Sequence, residues 1–153
     1  MVTRFNNLTW NENCRWRDKN DFQGCVYNSP VHINEDIPLM ITIYVIEMNN
    51  DQNKIMGIGK IINKVYTDRS YRIYEERNYN RFTYQGKLRI DRKNIESNNL
   101  LDLEKLEKRL FKGKAHLKRG QGISRIPPDV YKDYLYFCIS ACTESASLPP
   151  VIL

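Results

Sequence analysis

Residues 40–48 read MITIYVIEM, residues 49–53 read NNDQN, and residues 54–66 read KIMGIGKIINKVY. The first run is almost continuously apolar and rich in β-branched residues, the pattern of a central strand buried on both faces. The polar run is a turn, and the third run is the return strand, so residues 40–66 form a β-hairpin. Gly57 and Gly59 interrupt the return strand, where glycine marks a bulge or the close approach of another group.

On the N-terminal side, Thr9 and Glu12 stand three apart, a capping-box spacing that opens a short helix over residues 10–19 carrying Trp10 and Trp16. Residues 22–27 read as a strand that ends at a turn of Asn28, Ser29 and Pro30, followed by a loop over residues 32–38. On the C-terminal side, residues 70–74 and 82–90 read as two further strands. Ser97 or Asn98 can cap a helix over residues 100–112, with Leu103, Leu106 and Leu110 at helical spacing and Gly113 beyond its end. A basic, glycine-containing loop covers residues 114–124. Pro127 and Pro128 open a last helix over residues 129–142, and residues 143–153 form a tail. The pattern predicts one α+β domain over residues 1–142, a small curved mixed sheet or open barrel flanked by helices.

Composition sets further bounds. The 153 residues are 41% hydrophobic and 27% charged, which is globular rather than disordered composition. Lys and Arg outnumber Asp and Glu by 24 to 18. The excess is concentrated in residues 105–125: Lys105, Lys108, Arg109, Lys112, Lys114, Lys118, Arg119 and Arg125 face one acid, Glu107. Such a patch fits a phosphate backbone or a solvated helix face. The four cysteines, Cys14, Cys25, Cys138 and Cys142, form no Cys-x-x-Cys pair, and two histidines supply few further metal ligands. They read as reduced, mostly buried thiols, no metal or cofactor is expected, and an intracellular location follows from the absence of a signal run or membrane span.

Motifs for chemistry are sparse. Gly57 and Gly59 lack the third glycine and the strand-to-helix turn of a dinucleotide site. Gly113 and Lys114 lack the earlier glycine and the following Ser or Thr of a P-loop. No Ser-His-Asp or Cys-His set has local support, and Glu75 and Glu76 read as a solvated turn. The aromatics are more informative. Tyr27, Tyr74 beside Arg72 and Arg77, Tyr79 beside Arg81, and Tyr84 interleave rings with cations, and such sets stack bases while the cations hold phosphates. For any single tyrosine the plainer reading is a sheet residue with its hydroxyl at the rim. Trp10 and Trp16 lie on different helix faces, so one packs inward while the other faces a cleft, which makes Trp16 a pocket candidate.

Four stretches together resemble the YTH domain and, more broadly, the PUA-like superfamily with its EVE and ASCH members. They are GCVYNS at residues 24–29, the hairpin IYVIEMNNDQNKIMGIGKI, YEERNYNRFTYQGKLRI from Tyr74 onward, and HLKRGQGISRIP from His116 onward. The resemblance spans residues 10–134. It implies a non-catalytic domain that binds RNA, or single-stranded or flipped-base DNA, and holds a modified base such as 6-methyladenosine in an aromatic cage. By position Tyr27 is the first wall and Tyr74, or else Tyr79, the second, with the main chain at Asn28 and Ser29 on the base edge. Arg119 matches a phosphate-gripping arginine, with Lys118 and Lys114 nearby and Arg81 as a further backbone contact. Tyrosines stand where the family has cage tryptophans, and Gly120 replaces a loop aspartate, so a smaller, more polar cage is expected that can prefer a different modified base, in RNA or in DNA. An ASCH-like hydrolase acting on a modified nucleoside, drawing on Lys60, Glu47 and a tyrosine, or a protein-interaction module, are the alternative functions.

Overall fold

The computed structural model describes residues 1–130, apart from the side chains of Asn98 and Asn99. The last expected helix lies almost wholly outside the described residues, as do Cys138, Cys142 and the tail. The order is β1 (Val2–Phe5), α1 (Asn7–Lys19), β2 (Cys25–Ser29), β3 (Thr42–Asn49), β4 (Lys54–Ile62), a 3-10 turn (Arg77–Asn80), β5 (Phe82–Gly86), β6 (Leu88–Asp91) and α2 (Arg92–Phe111). One sheet runs β1-β3-β4-β6, with β1 parallel to β3 and the other pairs antiparallel. β2 and β5 form a separate antiparallel ribbon. The fold is therefore α+β, and among the described residues no barrel closes.

The hairpin forms as its pattern predicts, and its central strand is buried on both faces. Along β3, Ile46 and Met48 pack with α2, while Ile43 and Val45 pack with the β2–β5 ribbon. A bulge between Glu47 and Met48 pairs them with Gly57 and Ile55, so Ile55 and Ile58 both turn toward α2. α2 seals that face with Ile95, Leu103, Leu106 and Leu110. Burying each of these side chains contributes roughly 1.5–3 kcal/mol before entropy is counted.

The glycines of β4 accommodate a buried polar cluster. Tyr27 donates its hydroxyl to Glu47 Oε1 at 2.8 Å, and Arg89 Nη2 meets Glu47 Oε2 at 2.7 Å. A Cβ at Gly57 would lie 2.7 Å from both Glu47 Oε2 and Arg89 Nη2, and one at Gly59 would lie 2.0 Å from the Tyr27 hydroxyl. Gly59→Ala is therefore expected to lower stability by about 1–3 kcal/mol through overpacking, measurable as a lower urea midpoint with an unchanged slope. An unchanged midpoint would contradict this packing.

Several boundaries differ from the sequence pattern. β1 was not anticipated: its four residues, VTRF, are too few to show a period. Asn6, not Thr9, caps α1, with Thr9 as the third helical residue of the capping box, so the helix starts three residues early. Glu12 is freed from capping and accepts the Glu75 N–H. β2 continues through Asn28 and Ser29, which pair with Thr83 and Phe82, and stops before Pro30. Residues 70–74 are not a strand. The Asn80 side chain takes the N–H groups of Ile73 and Tyr74 and donates to Tyr74 O, replacing a sheet ladder. The single strand over residues 82–90 divides into β5 and β6, joining different sheets. α2 begins at Arg92, capped by Asp91, because its first turns carry the polar residues that hid the start.

Candidate functional site

β1 and the first turn of α1 build one wall of a cavity of about 230 Å³, with Arg4, Phe5, Asn6 and Thr9 in its lining. The loop around Gly120 builds the opposite side, with Lys118, Gln121 and Gly122. Asn28, Asn50, Tyr74 and Tyr79 complete the enclosure. The volume is below the roughly 300–1,000 Å³ of pockets for drug-sized ligands, and suits a single base.

Local structure explains how the loop is held. Val2 and Ser124 exchange both backbone hydrogen bonds, at 2.9 and 3.0 Å. Arg4 donates from Nε to Leu117 O and from Nη2 to Ser124 Oγ, the latter at 3.0 Å. Asn50 donates to Lys118 O at 2.9 Å. Gly122 has φ +63° and lies so close to Ser29 that a Cβ would be 2.3 Å from its hydroxyl oxygen. The glycine is required both for that φ and for that approach.

The lining contains two cations and no carboxylate. The positive end of the α1 dipole adds to the same field. Two buried side-chain atoms among the described residues lack a hydrogen-bond partner, Arg4 Nη1 and Asn50 Oδ1, and both residues line this cavity. A buried unpaired donor or acceptor costs about 1–3 kcal/mol, so the wall of this cavity carries polar groups that the fold leaves unsatisfied. Burial lowers the Arg4 pKa from its ordinary value, in keeping with its incomplete solvation.

The expected site residues do not all meet in one place. Asn28, Tyr74, Tyr79 and Lys118 meet in the cavity. The Tyr74 and Tyr79 rings stand edge to face at 6.2 Å and 87°, a corner rather than two parallel walls. Tyr74 is 7% exposed, its hydroxyl accepts from Asn13 Nδ2, and burial raises its pKa. Tyr79 is 41% exposed and is the ring open to a ligand. Asn28 holds the site in shape: its amide donates to Tyr71 O and Asn80 Oδ1 and accepts from Thr83.

Tyr27 does not form a wall. Its ring is 1% exposed in the core and its hydroxyl serves Glu47, with burial raising its pKa. Its side chain falls on the inward face of β2, because strand residues alternate and Asn28 takes the face toward the cavity. Ser29 is buried beneath Gly122 rather than exposed to a base. Trp16 lines a different cleft, against Arg69. Arg81 sits over Phe82 outside the cavity, while Lys114 and Arg119 are exposed on the loop beside it.

Arg4, Phe5, Asn6 and Asn50 were missed. All four lie on, cap or adjoin elements whose ends the pattern did not reveal. The candidates for hydrolytic chemistry do not converge: Glu47 is committed to Tyr27 and Arg89, while Lys60 lies over Tyr44 on the sheet's opposite face. Among the described residues no group of three His, Cys, Asp or Glu side chains is placed to hold a metal, and no helix is long and apolar enough to cross a membrane.

Glu107, the one acid in the basic stretch, turns toward Arg92 and accepts the Ile55 N–H at 2.7 Å. Lys105, Lys108, Lys112, Lys114 and Arg119 remain exposed, with Lys105 3.5 Å from Asp102 on the same helix. No family model, curated protein or solved structure matches the chain.

Proposed function

We propose that this chain is a non-catalytic, nucleic-acid-binding domain of YTH-like or related PUA-like type that holds one modified base, such as 6-methyladenosine in RNA, in the cavity between Tyr79 and the Gly120 loop. The observation that carries this reading is the open Tyr79 ring at a cavity lined by Arg4 and Lys118 and by no carboxylate. A base edge presents donors and acceptors together, its face stacks on the ring, and its phosphates meet Lys118 and Arg119. The free thiols of Cys14 and Cys25 suit an intracellular setting, and burial pushes Cys25 up to about 12.

The test is a binding screen of matched modified and unmodified RNA and DNA oligonucleotides at two salt concentrations. Tyr79→Ala is expected to weaken the preferred oligonucleotide about tenfold and to erase the preference, because stacking contributes about 1–3 kcal/mol per base. Arg119→Ala is expected to weaken all oligonucleotides alike and to flatten the salt dependence. Preference unchanged by Tyr79→Ala would place the base elsewhere.

A further inference from the structure

A second cleft, of about 400 Å³, lies farther along α1. Arg15, Trp16 and Lys19 contribute from the helix, and Arg69 and Arg72 from the segment after β4. The Arg69 guanidinium lies 4.8 Å from the Tyr71 ring centroid and 5.7 Å from that of Trp16. The two rings are 6.0 Å apart. Four cations thus surround one aromatic platform, against two carboxylates in the lining, Glu12 and Glu75. Glu12 is buried and already accepts the Glu75 N–H.

The two clefts are neighbours. Thr9 lines the first and Trp16 the second, and seven helical residues rise about 10 Å. Across the strand-less segment, Tyr74 lines the first while Ile73 and Glu75 line the second. A short stretch of extended single strand spans that distance.

Resting on the base-binding reading above, we propose that the Trp16–Arg69 cleft is a second nucleotide subsite, where a flanking base of single-stranded nucleic acid stacks on the Arg69 guanidinium and its tryptophan support. Arg15, Lys19 and Arg72 hold the connecting phosphates. Stacking on an arginine plane or an aromatic ring tolerates any base, so this subsite adds affinity and length dependence without adding sequence preference.

The two tryptophans make the test direct. With Trp10→Phe, Trp16 is the remaining emitter. Mixed-sequence RNA and DNA nonamers at low salt are expected to quench it, while mononucleotides, which fill the first cavity, are not. Arg69→Ala and Trp16→Ala are each expected to weaken nonamer binding about tenfold while leaving mononucleotide binding unchanged. Arg69 is exposed, so its variant keeps the test independent of folding. Nonamers bound with unchanged Trp16 emission and unchanged affinity in Arg69→Ala would overturn the second subsite alone. Failure of the unaltered chain to retain any nonamer would overturn both readings.

Discussion

Glu47→Ala is expected to lower stability by about 3–5 kcal/mol, the effect of leaving a buried guanidinium with only the exposed Asp91 carboxylate as its partner. Glu47 and Arg89 are 2% and 5% exposed, and both carboxylate oxygens of Glu47 accept from Arg89. The Tyr27 hydroxyl loses its acceptor in the same step. Domains of this size have total stabilities of about 5–15 kcal/mol, so the loss is a large fraction of the whole. Thermal unfolding should show a midpoint about 10 °C lower. The double change of Glu47→Leu with Arg89→Met is expected to recover most of it, since the apolar pair removes both desolvation penalties together. A Glu47→Ala midpoint within 2 °C of the original, on the same scale of roughly 2–4 °C per kcal/mol, would contradict the burial assigned to this pair.

Arg4→Met is expected to act on binding instead. It removes a charged donor from the cavity wall and releases the tether to Leu117 and Ser124. Hydrogen bonds to charged groups contribute about 1.5–3 kcal/mol, so oligonucleotide affinity should fall by about ten- to a hundredfold. Stability should move much less, because the unpaired Nη1 disappears with the side chain. The pair of variants separates the two polar sites: Glu47→Ala is expected to act on the fold, and Arg4→Met on the proposed binding. Equal affinity in Arg4→Met and the original chain, measured by fluorescence anisotropy, would remove Arg4 from the site.

The sequence carried the hairpin because a run of β-branched residues, a five-residue polar turn and a second run form a strong, local pattern. It carried the α2 core through Leu103, Leu106 and Leu110 for the same reason. It also flagged Gly57 and Gly59 as places of close approach, though not that the approaching group would be the Glu47 cluster. What it concealed depends on contacts distant in sequence. β1 is a strand because β3 and Ser124 pair with it, not because four residues prefer to be one. The segment before Tyr74 looks like a strand and is instead pinned by a single asparagine, Asn80.

The site was legible by region more than by residue. Asn28, Tyr74, Tyr79 and Lys118 do gather, although they come from three separate stretches. Tyr27 was misplaced by one residue's alternation, which turns a cage wall into a core ring. Arg4 and Asn50 carried no signal, since a lone arginine in a short strand and an asparagine in a turn are common surface features. Their importance emerges only from the closed loop that buries one nitrogen and one oxygen without partners.

The proposal that this cavity holds a base is tested most directly by amide chemical shifts recorded as the preferred oligonucleotide is added to the isotope-labelled chain. The largest changes are expected at Asn6, Thr9, Tyr79, Gly120 and Gly122, with Trp16 and its neighbours following only for longer strands. Changes confined to the outer face of α2, with those five amides unmoved, would show that the nucleic acid rests on the basic surface and leaves the cavity empty.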